Sequence, residues 1–161
     1  MALRTIVLEG DDILNKKCRP VEKFDGRLEQ MMDDLVETLA ATENGVGLAA
    51  PQVGILRRFV VINVGEGPIE LVNPTIIAQE GEQEAVEGCL SCPGEYGVTK
   101  RPMSVTVQAQ DRKGNTFTVS GEGLLARALC HELDHLDGIL FKQRTVRMVD
   151  PEEEQEGAAE E

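Results

Sequence analysis

The stretch Gly123-Leu-Leu-Ala-Arg-Ala-Leu-Cys-His-Glu-Leu-Asp-His-Leu-Asp137 carries apolar side chains at Leu124, Leu125, Ala126, Ala128, Leu129, Cys130, Leu133 and Leu136. These positions surround a helix on nearly all sides, the pattern of a helix enclosed by its fold rather than laid on the surface. Gly138 supplies the residue type that ends it. Inside this run stand the only two histidines of the chain, His131 and His135, with Glu132 beside the first. Four residues make about one helical turn, so both rings can face one metal ion. The bland alternative is a pair of hydrogen-bonded core histidines. Glu132 counts against it, because a carboxylate on a buried helix is costly without a partner, and a metal with its water supplies one.

Working outward, Leu28, Met31, Met32, Leu35, Val36, Leu39 and Ala40 recur at steps of three and four, predicting an amphipathic helix from Arg27 to Asn44, capped by Asp25 and closed by Gly45. Gly45-Val-Gly-Leu-Ala-Ala-Pro-Gln52 follows neither period and reads as an ordered loop. Phe59–Val64 and Ile69–Ile77 are β-branched strands joined by the turn Gly65-Glu-Gly-Pro68. From Gly81 to Pro102 the sequence predicts a long irregular segment, which in a compact domain is functional or mobile. Val105, Val107 and Ala109 alternate with polar residues, Lys113-Gly-Asn115 turns the chain, and Phe117 and Val119 continue the alternation as a hairpin. Strands followed by a helix, without βαβ alternation, predict an α+β fold. Antiparallel or mixed sheets would wrap a central buried helix carrying the His-Glu-x-x-His motif.

The length of 161 residues suits one domain, expected over residues 1–149. Residues 150–161 carry seven acids and no base, leaving −6 of the formal −13 to the rest. They are expected to be an acidic, disordered tail. A chain this acidic is a poor candidate for direct nucleic-acid or anionic-membrane binding through its overall field. No apolar run approaches the ~18 residues of a membrane span, and Met1–Asp12 lacks the charged-then-apolar pattern of a secretion signal. The expected location is the cytoplasm, where Cys18, Cys89, Cys92 and Cys130 are thiols or ligands rather than disulfides.

Two histidines leave a hydrolytic metal one protein ligand short, since open sites use three protein ligands plus water. The remaining soft donors are thiolates. Cys130 adjoins His131 but points about 100° away on the helix, as a core residue would. Cys89 and Cys92 lie in the segment Glu87-Gly-Cys-Leu-Ser-Cys-Pro-Gly94. If both bound, the set would be a closed Cys2His2 zinc site and the chain a zinc-stabilised binding module. That alternative separates the cysteines and histidines by far more than the ~12 to 15 residues of a finger, and it leaves Glu132 without a task.

Three motifs in order, Gly45-Val-Gly-Leu-Ala-Ala-Pro-Gln52, Glu87-Gly-Cys-Leu-Ser91 and His131-Glu-Leu-Asp-His135, resemble the three signatures of the peptide deformylases. The resemblance covers roughly residues 3–142. It implies a hydrolase that removes the N-formyl group from the formyl-methionine of newly made polypeptides, releasing formate. Cys89, His131 and His135 would hold the metal, and Glu132 would be the catalytic carboxylate. Gln52 and the backbone N–H of Leu90 would bind the oxyanion; Val46, Gly47, Glu87, Leu124 and Ala128 would contact substrate. Fe2+ is the metal implied, with Zn2+, Ni2+ or Co2+ as substitutes; the ligand chemistry by itself would favour zinc. The implied partners are formyl-methionyl nascent peptides, with a transient ribosome contact. This chain departs from some relatives at Tyr96, where they carry arginine, and in its acidic rather than basic helical end.

Overall fold

The computed structural model describes residues 2–150 and the backbone of 159–160. Helix α1 spans Gly26–Ala40 and helix α2 spans Leu124–Leu136. The strands are β1 Gly47–Ala49, β2 Phe59–Ile62, β3 Ile69–Glu80, β4 Gln83–Cys89, β5 Cys92–Arg101, β6 Ser104–Gln110, β7 Thr116–Glu122, β8 Thr145–Val149 and β9 Ala159–Glu160. One sheet has the order β1-β2-β3-β6-β7 and the other the order β8-β5-β4-β9. All pairings are antiparallel except that of β4 with β9, which sets Glu87 opposite Ala159 and Gly88 opposite Glu160. The predicted α+β class and the central helix are both present, with α2 packed against strands of both sheets.

Period-two alternation in the first sheet sorts the core. Val60 and Ile62 of β2, with Ala49, Leu71, Val105 and Val107, pack on the α2 side against Ala126, Leu129, Leu133 and Leu136. Phe59 and Val61, with Leu48 and Val72, pack on the other face against Leu28, Met32, Leu35 and Leu39 of α1. Because β2 is buried on both faces, it reads as a continuous apolar run rather than an alternating one. Asp25 caps α1 as expected, accepting from the Leu28 N–H at 3.1 Å. The helix ends at Ala40 rather than near Asn44. Thr42 Oγ1 donates to the Leu39 carbonyl at 2.7 Å and accepts from the Gly45 N–H at 3.2 Å, so the chain turns before Gly45. At the end of α2, Gly138 has φ +77°, and a Cβ there would meet the Asn15 carbonyl at 2.6 Å. Both the backbone and the space require glycine.

Two expectations are corrected. Residues 81–102 are not irregular but form the β4–β5 hairpin, closed by the two-residue turn Leu90-Ser91. Their glycines suggested a loop because this hairpin is mostly polar, while Gly97 in fact gives room for Thr145 and Met148 of β8 to pack against it. The supposed loop at 45–52 contains β1, the edge strand paired with β2, followed by a 3-10 turn over Ala50–Val53. Of the acidic tail, residues 151–158 and 161 lie outside the described residues. Among the described residues no helix is long and apolar enough to cross a membrane.

Candidate metal centre

Two segments distant in sequence converge at one place. α2 presents His131 and His135 from one face, and β4 ends there with Cys89; the three are buried. Their donor atoms all lie within 4.8 Å of one another. Cys89 Sγ and His135 Nε2 are 3.4 Å apart. Ligand bonds of ~2.0 to 2.3 Å in tetrahedral geometry put donors about 3.5 Å apart, so this spacing fits one ion. Burial and the neighbouring His131 push the His135 pKa well below its ordinary value, keeping the ring in the neutral form that binds metal. The neighbouring Cys92 sulfur, burial and the nearby Glu132 carboxylate all push the Cys89 thiol upward. A cation beside it is what such a thiol needs to become a thiolate ligand.

Glu132 is wholly buried, and neither carboxylate oxygen has a hydrogen-bond partner among the described residues. Burial raises its pKa to about 7. Gly47 of β1 lies against this side chain: a Cβ on Gly47 would stand 2.8 Å from Glu132 Cγ and Cδ. The glycine thus sets how closely the edge strand approaches the carboxylate. Val46 is half-buried against the α2-side core.

Gln52 is buried beside Cys89. Its Oε1 accepts from the Ala49 N–H at 2.9 Å, which fixes the amide orientation. Its Nε2 then donates to Ser91 Oγ at 3.0 Å and lies 3.6 Å from Cys89 Sγ. Leu90 opens the turn that follows Cys89, with its side chain packed toward α1 and against Gly45.

Glu87 is placed differently from the substrate-binding role expected of it. Its Oε1 meets His131 Nδ1 at 3.0 Å and Arg101 Nη2 at 2.9 Å, while Oε2 accepts from Arg101 Nε at 2.8 Å and from the Thr99 hydroxyl. Both oxygens are therefore committed inside the protein. Burial alone would raise the Glu87 pKa, but hydrogen bonds from Arg101 and His131 outweigh it and hold the carboxyl at about 2. A carboxylate on Nδ1 leaves Nε2 of the same ring to face the metal. Arg101 also donates to Asp134 at 2.9 Å, and Arg144 reaches the same carboxylate at 3.1 Å. Arg101 and Thr99 had no signal in the sequence motifs. The only question that could have found them is which cation neutralises Glu87.

Of the other expected substrate contacts, Leu124 opens α2 and is half-exposed, whereas Ala128 is fully enclosed in the core and has no surface left to offer a ligand. Cys130 faces away from the cluster, lining a cavity of about 450 Å³ on the far side of α2. Cys92 does not join the three donors. It sits opposite Cys89 across the hairpin, near Glu9 and Glu95, so the geometry does not support the closed four-ligand site.

A sequence profile of the polypeptide deformylases matches residues 3–151. Peptide deformylase 2 of Clostridium acetobutylicum is 59% identical over 141 residues, covering 88% of this chain and 94% of its own. The peptide deformylase of Caldicellulosiruptor bescii is 58% identical over 153 residues, covering 95% and 92%. Among solved structures, the Thermotoga maritima peptide deformylase superposes with a TM-score of 0.87 at 39% identity, over 90% of this chain and 99% of that one. The family of metal-dependent enzymes to which this chain belongs is therefore that of the polypeptide deformylases.

Proposed function

We propose that the chain removes the N-formyl group from the formyl-methionine of newly made polypeptides through a metal held by Cys89, His131 and His135, with Glu132 as general acid and base. The observation that carries this reading is the convergence of three buried donors within 4.8 Å beside a carboxylate with no hydrogen-bond partner among the described residues. The metal supplies Lewis acidity, bringing the pKa of a water toward neutrality. Glu132 accepts the proton of that attacking water and passes it to the amine nitrogen as the C–N bond breaks. A carboxyl near 7 suits both transfers. The formyl oxygen, gaining negative charge, accepts hydrogen bonds from Gln52 Nε2 and the Leu90 N–H. Water and the formamide give formate and a free N-terminus.

Glu87 acts as a positioning residue, orienting His131 while Arg101 keeps it ionised. Val46 and Gly47, on the edge of a sheet, align the peptide backbone by strand addition. Ferrous iron is the proposed metal in the cell on the family resemblance alone; Zn2+, Ni2+ and Co2+ suit the same donors. The substrate places the work on nascent chains in the cytoplasm, with a transient ribosome contact, and within residues 1–149.

The test is formate release from a formyl-methionyl peptide, measured together with the new primary amine and the bound metal. One formate per amine, lost on chelation and restored by a divalent ion, is expected. A chain holding one metal that releases no formate refutes the proposal.

A further inference from the structure

Cys92 has no role in the reaction above, yet it faces the one thiol the proposed metal site depends on. Cys89 and Cys92 are Cα partners across the two-residue turn of the β4–β5 hairpin. Directly opposed residues in antiparallel strands have Cα atoms about 4.5 to 5.5 Å apart, and their side chains leave the same face. A disulfide needs roughly 4.4 to 6.8 Å. With Phe141 the two cysteines form one small buried cluster. The hairpin has closed the loop between them, so bridging them needs no refolding. Neither other cysteine is so placed: Cys18 is in the α2-side core and Cys130 faces the cavity behind α2. The backbone N–H of Glu9 donates to the Ser91 carbonyl at 2.8 Å, pinning the N-terminal segment to this turn. Lys142 Nζ bridges Glu9 and Glu95 at 2.6 Å each, so a cation already fills the acidic group next to Cys92 and a second metal has no place there.

We propose that Cys92 is the resolving thiol of Cys89, closing an intramolecular disulfide when peroxide reaches the metal-free site. Hydrogen peroxide transfers hydroxyl to Cys89 sulfur as its O–O bond breaks, and the thiol proton leaves in water. The Cys92 sulfur then attacks Cys89 sulfur, the S–O bond breaks, and a second water leaves with the Cys92 proton. The two thiols thus reduce one peroxide to two waters. A sulfenic acid without such a neighbour proceeds to sulfinic acid, which dithiol reductants do not reverse. Cys92 therefore keeps the ligand recoverable while withholding it from metal. The consequence for metal rests on the proposed role of Cys89; formation of the disulfide does not.

The experiment exposes metal-free parent, Cys92→Ser and Cys92→Ala to hydrogen peroxide and reads intact mass and non-reducing peptide maps. It then adds dithiothreitol and measures Co2+ stoichiometry. The parent is expected to lose two hydrogens, show a Cys89–Cys92 linked peptide, and recover one Co2+ per chain on reduction. Both variants are expected to gain oxygen at Cys89 and stay metal-free. A parent that gains oxygen without the linked peptide, or variants that recover as fully as the parent, overturns the proposal. Co2+ binding by the untreated variants separates the two readings: its loss would implicate Cys92 as a ligand and count against the three-ligand site, whatever the peptide maps show.

Discussion

Glu132→Gln, in the metal-free protein, should change the pH dependence of stability in a direction fixed by burial. Glu132 stands at about 7 against an ordinary 4.5, with burial as the main cause. A raised carboxyl favours the protonated folded state. Its contribution is fully present below pH 4.5 and is lost as pH rises through 7. The shift of roughly 2.5 units at 1.36 kcal/mol each gives about 3 kcal/mol between those limits. Glutamine has the same shape and does not titrate, so its buried amide adds an offset that is constant with pH. Titrating groups that do not interact with Glu132 are common to both proteins and cancel in the difference.

Urea unfolding of the chelated parent and variant at pH 4.5, 6 and 8 measures this difference directly. The variant should gain on the parent by about 3 kcal/mol between the extremes, or roughly 6 to 12 °C in Tm for a chain of this size. With one divalent ion bound per chain the gain should shrink, because a cation beside the carboxylate offsets the cost of its charge. Formate release should nevertheless be nearly abolished, since an amide neither takes nor returns the proton. A difference that stays flat with pH in the metal-free proteins would refute burial as the cause of the Glu132 shift. Activity within a few-fold of the parent would remove Glu132 from the proposed chemistry.

Arg101→Met leaves Glu87 buried without its cation, and we expect about 3 to 5 kcal/mol of destabilisation with metal affinity lowered ~10- to 100-fold, read by unfolding and by Co2+ titration. Unchanged metal affinity would separate Glu87 from the orientation of His131. Gln52→Leu should lower kcat by ~10²- to 10³-fold, and a rise confined to KM would contradict an oxyanion role. Gly47→Ala places a methyl group against Glu132 and should impair turnover while metal content is retained; full activity would show that the edge strand can retreat.

The candidate metal centre was more legible in the sequence than the strands around it, and the reason is physical. His131, Glu132 and His135 are spaced by the geometry of one helix, so their meeting is a local event readable from five consecutive residues. Cys89 is a long-range partner, and residue chemistry alone left it level with Cys92; the hairpin sets the two opposite each other, and it is the Cys89 sulfur that comes within 4.8 Å of both histidine donors, while Cys92 groups with Glu9 and Glu95. The hairpin itself was missed because β4 and β5 carry Glu, Gly and Lys at many positions, and polar strands offer no alternating apolar face to read. Glu87 was misplaced for a related reason. Its position next to Cys89 suggests a pocket, but whether a carboxylate faces substrate or a buried arginine depends on Arg101 at the far end of the paired strand.

The two carboxylates nearest the histidines are pushed in opposite directions, and one side chain accounts for much of the difference. Glu87 and Glu132 are equally buried, so burial raises both. Arg101 spends two of its donors on Glu87 and none on Glu132, and the outcome is about 2 for the first and about 7 for the second. Glu87 is thereby a fixed anion suited to hold a histidine proton, and Glu132 a carboxyl able to gain and lose one near neutrality. Exchanging their environments would exchange these capacities, because nothing in the two side chains differs. A chain that fixed His131, Glu132 and His135 on its helix but lacked Arg101 would thus have the donors of the proposed site without the charge arrangement that lets one carboxylate orient and the other transfer.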